Sequence, residues 1–328
     1  EEGLPQVQRL YTDRFLEEFG PARRKEEPLR DEHWDLAASA QRLTEEVIFH
    51  MAEDLHRRTQ CPNLCITGGV AQNSVANGKI IENTSFENLY VPPAGHDAGT
   101  SVGSSLYFYH HKLGRQRLPF QHNAYTGVQY SNEEVEQILK SRQVAFKRLE
   151  DDQLFQVVSD CLARGGVVGW FQGRAEFGPR ALGNRSILAD PRRADAKDIL
   201  NEKIKRRESF RPFAPSILKE CVHEYFEQVD DVPYMEKVFR IRPEKQPVIP
   251  AVTHVDGTGR LQTVDRSVAP RYHALISNFN RVAGVPVLLN TSFNENEPIV
   301  NSPEHALACF DRTKMDMLVM QNVLIHRG

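Results

Sequence analysis

Apolar residues in the first third of the chain change period twice, and each change predicts an element. From Asp31 to Arg58, Leu36, Leu43, Val47, Met51 and Leu55 share one face at helical spacing, which predicts a single long amphipathic helix that Asp31 can cap. The stretch NLCITGGVAQNSVANGKII then predicts a strand over 63–67, a tight turn at Gly68-Gly69 and a helix from Val70 onward. The pattern recurs: NLYVPP closes a strand, AGHDAGT is a glycine-containing loop, and a helix runs from Ser101 to His111. Strand, glycine turn and helix in succession indicate a layered α/β unit.

Residues 112–130 are polar and carry proline and glycine, so a linker is expected at 116–129, between a domain at 1–115 and another at 130–328. Ser131 and Glu134 form a capping box that opens the second domain. Strands are expected at 166–171, 236–242, 285–290 and 317–321, with helices at 152–163, 195–204, 271–282 and 303–310. The run HVDGTGR, with Gly257 and Gly259, predicts a hairpin turn. There is no internal repeat.

Composition narrows the function classes. A length of 328 residues suggests about two domains, and 40% apolar residues suffice for sizeable cores. No run of about 18 apolar residues occurs, so no membrane span is expected, and the segment EEGLPQVQRL is not a signal or transit peptide. The five cysteines, Cys61, Cys65, Cys161, Cys221 and Cys309, complete no zinc pattern and read as small buried side chains of a cytoplasmic protein. The net charge is −3, against a coat for nucleic acid.

Positive charge is instead local. Residues 174–211 hold 11 Lys and Arg against 6 Asp and Glu. Within this window, GRAEFGPRALGNRS spaces Arg174, Arg180 and Arg185 with glycines, and KIKRRESFRPFAP adds Lys203, Lys205 and Arg211. Glycine lets backbone approach a ligand and arginine grips phosphate through a planar fork, so the two runs predict a pocket for a small polyanion. Arg180, Lys205 and Arg211 are its candidates for neutralising charge in a transition state, and Glu176 is expected to orient an arginine. Arg260 and Arg266 flank the expected hairpin and can add to the site. A third polar run, Asn290 to Asn294, follows the apolar strand VPVLL, where α/β domains place ligands. Ser292 reads there as a hydrogen-bonding group, because no GxSxG elbow surrounds it. The glycine turns at Gly68-Gly69 and Gly95–Gly99 can hold a nucleotide between their helices, with Asn73 on base or ribose and Asp97 on a metal or hydroxyl. No HExxH or HxxxH occurs.

These stretches carry a family resemblance. GRAEFGPRALGNRSILADPR, FRPFAPSIL, THVDGTGRLQTV and LLNTSFNENEPIV resemble the O-carbamoyltransferases of the nodulation, cephamycin and tobramycin type, over about 290 residues. The resemblance implies an α/β (α+β) chain: part of an actin/sugar-kinase-like domain followed by a YrdC-like mixed α/β domain at 130–328. It implies that the second domain makes carbamoyladenylate from carbamoyl phosphate and ATP, and that the first passes the carbamoyl group to a hydroxyl of a small molecule. By the resemblance, Arg180, Lys205, Arg211 and Arg260 hold carbamoyl phosphate and adenylate phosphates, with Arg174 as a further substrate-binding residue. Asn290 and Ser292 contact adenylate and nucleotide, Gly68, Gly69, Asn73 and Gly99 form the nucleotide turns, and Asp97 is a metal ligand.

ATP with Mg2+ is therefore expected as co-substrate, and Fe2+ or a similar divalent metal only in a complete kinase-like domain. The family's first half carries an HxxxH motif that these 328 residues lack. The expectation is that residues 1–115 are the second half of that domain, associating with the missing half or with another copy. Two other readings stand beside this one. A hydrogenase-maturation carbamoyltransferase would need an acylphosphatase domain and zinc-finger cysteines. A nucleotide- or RNA-binding YrdC-like protein without transferase activity is the non-enzyme alternative.

Overall fold

A computed structural model describes residues 11–24, 26–117, 123–208 and 210–327. Residues 118–122 of the expected linker, and the side chain of Lys203, lie outside the described residues. The chain divides into two compact units, up to His50 and from Met51 onward. The first holds α1 (Asp13–Phe19) and most of α2 (Asp31–Thr59). Asp31 is the first residue of α2 rather than its cap. Leu43, Val47, Met51 and Leu55, the expected apolar face of α2, are exposed.

The second unit begins with a parallel strand pair, β1 (Asn63–Cys65) and β2 (Asn88–Tyr90). Between them lies α3 (Ser74–Asn83), and α4 (Gly99–Tyr107) follows the second glycine loop. The Ser131–Glu134 capping box forms in full and opens α5 (Asn132–Ser141). The remaining elements are β3 (Lys147–Arg148), α6 (Asp151–Ala163), β4 (Val168–Phe171), β5 (Arg185–Ala189), α7 (Ala196–Leu200), β6 (Ala214–Leu218), α8 (Val222–Tyr225), β7 (Val238–Arg240), β8 (Thr258–Arg260), β9 (Gln262–Val264), α9 (Pro270–Ala283), β10 (Val287–Ser292), α10 (Pro303–Arg312), β11 (Met317–Met320) and β12 (Val323–His326).

Eight of these strands form one mixed sheet in the order β3-β12-β11-β4-β5-β10-β6-β9. Strand period two splits its side chains between two cores. Leu288, Met317 and Val319 join the α6–α9 side, while Val287, Leu289, Leu318 and Met320 join the opposite side with α5, α7 and α10. Strands buried on both faces read as unbroken apolar runs such as VPVLL. The fold is thus the mixed α/β class that the strand and helix patterns predict.

Two expectations change in detail. The expected helix at 195–204 is α7 followed by one π turn, Asn201–Lys205. The HVDGTGR run does turn, Gly257 N donating to His254 O, but β8 pairs antiparallel with β7 and not with its immediate neighbour. The glycine-turn segment meets the two-stranded β7–β8 sheet closely. A Cβ on Gly78 of α3 would lie 2.1 Å from the Val238 carbonyl oxygen, so only glycine fits there. Asn77 Nδ2 beside it donates to Ala71 O and Glu236 O, at 2.8 and 2.9 Å.

Candidate functional site

The GRAEFGPRALGNRS run folds into a loop held from inside by two of its own charges. Glu176 Oε1 accepts from the backbone N–H groups of Leu182, Asn184 and Arg185, at 2.7, 2.8 and 3.2 Å. Burial raises its carboxyl above the usual range, opposed by these amide donors. The Arg185 guanidinium stacks 3.6 Å over Phe171 and donates to the carbonyls of Gln172, Asn184, Val128 and Gly173. Glu176 therefore orients backbone rather than an arginine side chain, and Arg185 is a staple. Arg174 is exposed and donates to Thr126 O at 2.8 Å.

What the loop presents is Arg180. With Arg207 and Arg260 it lines a cavity of about 100 Å3, completed by Asn290, Thr291, Ser292, Pro179, Ala181, Pro212, Phe213 and Met235. No carboxylate is among these residues. Among the described residues Arg180 and Arg260 have no protein hydrogen-bond or ion-pair partner, and Arg260 Nε is buried without one. Burial pushes Arg260 down to about 9, with Arg180 and Arg207 as like-charged neighbours. Burial likewise lowers Arg180 and Arg207. Arg207 is placed by Asn201 Oδ1 at 2.8 Å and by the Phe213 ring at 4.8 Å. Three guanidinium groups around a cavity with no carboxylate in its lining suit a bound anion.

The opposite wall is the end of β10. Asn290 and Ser292, two residues apart, share one face of the strand. Lys205, 3% exposed, does not line the cavity. Its Nζ donates to Ser292 O and Oγ and to Asn294 O and Oδ1, at 2.5, 3.2, 2.7 and 2.7 Å. Burial pushes this ammonium down to about 7. Lys205 thus fixes the wall that carries Ser292. Arg211 also lies off the cavity, paired with Glu208 at 3.1 Å and half exposed. Of the residues expected here, the structure brings Arg180, Arg260, Asn290 and Ser292 together, and it adds Arg207, which sequence reasoning missed. The signal for Arg207 was its place two residues beyond Lys205, after a helix end.

A second cavity, of about 550 Å3, lies along the glycine turns and includes Gly68, Asp97, Gly99, Val102, Leu106, Phe177 and Tyr234. Gly69 and Asn73 do not line it: Gly69 opens a short 3-10 turn, and Asn73 Oδ1 caps α3 through Ala76 N at 3.1 Å. Gly178, at φ +145°, brings the arginine loop against Pro93 of this cavity; a Cβ there would lie 2.4 Å from Pro93 O. Phe177 therefore faces the second cavity while Arg180 faces the first. Asp97 is exposed, and among the described residues no three His, Cys, Asp or Glu side chains gather as a metal site. These residues alone do not fit a metal centre. Val102, Leu106, Tyr107 and Phe108 of this region are exposed.

The turn ahead of Arg260 supplies a pH prediction. His254 Nδ1 contacts Thr258 Oγ1 at 3.0 Å, its Nε2 is buried without a partner, and burial pushes its pKa from 6.5 down to about 4. The unfolded chain takes up this proton as pH falls through 6.5, whereas the folded chain resists until about 4, so stability is lost across that window. Unfolding temperature measured from pH 7.5 to 4 should fall less steeply in His254→Asn than in the parent. Parallel profiles would show that His254 does not titrate this way.

Comparisons with known proteins agree on one family. The model described as "Carbamoyltransferase C-terminus" matches residues 159–327, and "Carbamoyltransferase N-terminus" matches residues 6–106. Nodulation protein NolO of Bradyrhizobium diazoefficiens is 43% identical over 328 residues, covering 95% of this chain and 59% of that protein. The 3'-hydroxymethylcephem-O-carbamoyltransferase of Amycolatopsis lactamdurans is 38% identical over 258 residues, covering 78% of this chain and 47% of that enzyme. The chain spans about half the length of the curated relatives it matches. A crystal structure of full-length HypF in the phosphate- and nucleotide-bound form aligns with TM-score 0.36 and 18% identity over 55% of this chain and 22% of that one, a likeness too low to carry an argument.

Proposed function

The chain belongs to the carbamoyltransferase family, and on that premise we propose that it takes part in O-carbamoylation, with carbamoyl phosphate activated in the three-arginine cavity. In this reading water releases phosphate from carbamoyl phosphate, and the carbamate so formed displaces pyrophosphate from ATP to give carbamoyladenylate. The carbamoyl group then passes to a hydroxyl of a small-molecule acceptor, with AMP leaving. The observation that carries the reading is the cavity itself: Arg180, Arg207 and Arg260 converge with no carboxylate among its lining residues. Negative charge that builds on the phosphates meets fixed donors that need no reorganisation. Lys205 and Glu176 act at a distance from the reacting atoms, by holding the two walls.

Acceptor transfer is proposed for the larger cavity along Gly68, Asp97 and Gly99, whose glycine turns admit a nucleotide's backbone-level contacts. Mg2+ would enter with ATP. No step is assigned to a resident metal, because the side chains described do not assemble one.

The test is exchange of labelled pyrophosphate into ATP, with and without carbamoyl phosphate, alongside mass spectrometry of products from a panel of hydroxylated acceptors. Exchange that depends on carbamoyl phosphate supports activation in this chain. Exchange that is absent from the folded chain, or indifferent to carbamoyl phosphate, refutes it.

A further inference from the structure

Helix α4 turns one unpacked face to the second cavity. No residue of α4 is buried, and Gly99, Val102, Gly103 and Leu106, at helical spacing, line that cavity of about 550 Å3. From Gly99 to Leu106 the face runs about 10 Å. Its two glycines differ. A Cβ on Gly99 would lie 2.1 Å from Ala94 O, so Gly99 lets the helix start pack on the preceding loop. A Cβ on Gly103 would meet nothing within 4 Å, so Gly103 leaves open space beside Val102 and Leu106. Those two side chains stay 47% and 51% exposed, so no packing within the fold uses them up. Phe177, carried on the arginine loop, extends the apolar wall. Charge sits at the helix start. Asp97 is the one Asp, Glu, Lys or Arg among the described residues that line the cavity. Thr100 beside it is turned inward, its Oγ1 donating to Asp97 O at 2.6 Å.

We propose that this cavity selects an alcohol with an apolar, ring-bearing body, which lies along α4 on Gly103, against Val102, Leu106 and Phe177, with its hydroxyl toward Asp97. This rests on the reading of the cavity as the acceptor site. Its volume lies within the range of about 300–1,000 Å3 that holds a small molecule of several rings. An apolar body gains by leaving water against these side chains. A polyhydroxylated sugar does not: hydroxyls placed along Val102, Gly103, Leu106 and Phe177 meet no side-chain donor or acceptor and lose their water uncompensated. A polycationic amino sugar finds one carboxylate for several ammonium groups. A nucleotide's base is favoured less for the same stretch, because its edge carries ring nitrogens and an amino group that these four residues cannot pair. The glycine turns at the other end remain open to the nucleotide's polar part. Gly103 is the residue that sets the preference, because any side chain there would occupy the space that the rings take.

The experiment is ligand-observed NMR titration of the 328-residue chain with naphthylmethanol, glucose and AMP. It compares the parent with Gly103→Leu and Phe177→Ala, each first checked for an intact unfolding transition. Gly103→Leu should fold, since its Cβ enters open space and leucine favours a helix over glycine. The parent should bind naphthylmethanol roughly tenfold or more tighter than glucose. Gly103→Leu should weaken naphthylmethanol by about tenfold or more, the effect of filling an apolar subsite, with AMP changed less than about twofold. Phe177→Ala, on a different element, should weaken naphthylmethanol severalfold and serves alone if Gly103→Leu does not fold. Glucose bound as tightly as naphthylmethanol overturns the apolar preference and leaves the acceptor site standing. Naphthylmethanol affinity unchanged in both variants places the rings elsewhere and overturns the role of α4. AMP and naphthylmethanol lost together in Gly103→Leu gives the apolar stretch to the nucleotide's base and overturns the proposal. A folded parent that binds none of the three overturns this proposal and the reading of the cavity together.

Discussion

Arg260→Met should weaken carbamoyl phosphate binding by about one to two decades, the usual worth of a charge-assisted hydrogen bond, while leaving the empty protein as stable as before or more so. The two effects have one cause. Arg260 is partly buried with Arg180 and Arg207 as its charged neighbours, and burial has already pushed it down to about 9. In the empty protein its charge is a liability: its Nε has no partner and its neighbours repel it. Methionine keeps much of the aliphatic stem and removes the charge. The bound anion reverses the sign, since three guanidinium groups then share a counter-charge. Arg180→Met should behave alike, and the double variant should lose less than the sum of the two, because the arginines act on one ligand. Titration calorimetry and thermal unfolding on the same samples decide the matter. A loss of unfolding temperature with unchanged affinity would make the cluster structural.

The same residues show how much of the site could be read from the chain. Glycines and arginines in GRAEFGPRALGNRS read as an anion loop, and Arg180 is the residue that this loop brings to the cavity. The division of labour within the loop was not legible. Arg185 and Arg174 look equivalent to Arg180 in the sequence, yet one is 1% exposed and bound to carbonyls, and the other is exposed on Thr126 O. That distinction depends on where Phe171 and residues 126–128 fall, contacts made by segments far from the loop in the chain or paired with it only through the sheet. The alternation in β10 puts Asn290 and Ser292 on one face, and this could be read from strand period alone. Arg207 was hidden because α7 ends in a π turn at Asn201–Lys205, which shifts every following side chain relative to a regular helix. The sequence reads Lys205 as a charge-neutralising residue of the pocket, but its acceptors, Ser292 and Asn294, lie some ninety residues further on, so its task of bracing the wall appears only in three dimensions. Strands β5, β6, β9 and β12 were not anticipated; β5, β6 and the edge strand β9 carry polar residues such as Ser186, Ser216 and Gln262 that strand pairing and hydrogen bonding tolerate but apolar patterning does not signal.

Glu176→Ala should unfold the arginine loop and cost on the order of 4 kcal/mol, because one carboxylate oxygen serves three backbone donors and each buried N–H left unmet costs roughly 1–3 kcal/mol. Water can recover part of that where the loop opens. The loop's other internal anchor, Arg185, would then hold carbonyls of a segment whose amides no longer converge. Arg180 and Ala181 lie between those amides and Glu176, so anion binding should be lost with stability. Glu176→Gln separates two causes. Its amide oxygen can still accept the three N–H bonds, so if the acceptor is what matters, Gln should recover most of the stability and the binding. If the attraction between the carboxylate and Arg185 matters instead, Gln should fail nearly as badly as Ala. Burial raises the Glu176 carboxyl while amide donors oppose it, so the folded protein already tolerates this side chain with its charge disfavoured. That favours the acceptor role. Denaturant unfolding of both variants, with carbamoyl phosphate titrated into whichever remains folded, distinguishes them: equal destabilisation by Gln and Ala would refute the backbone-acceptor account.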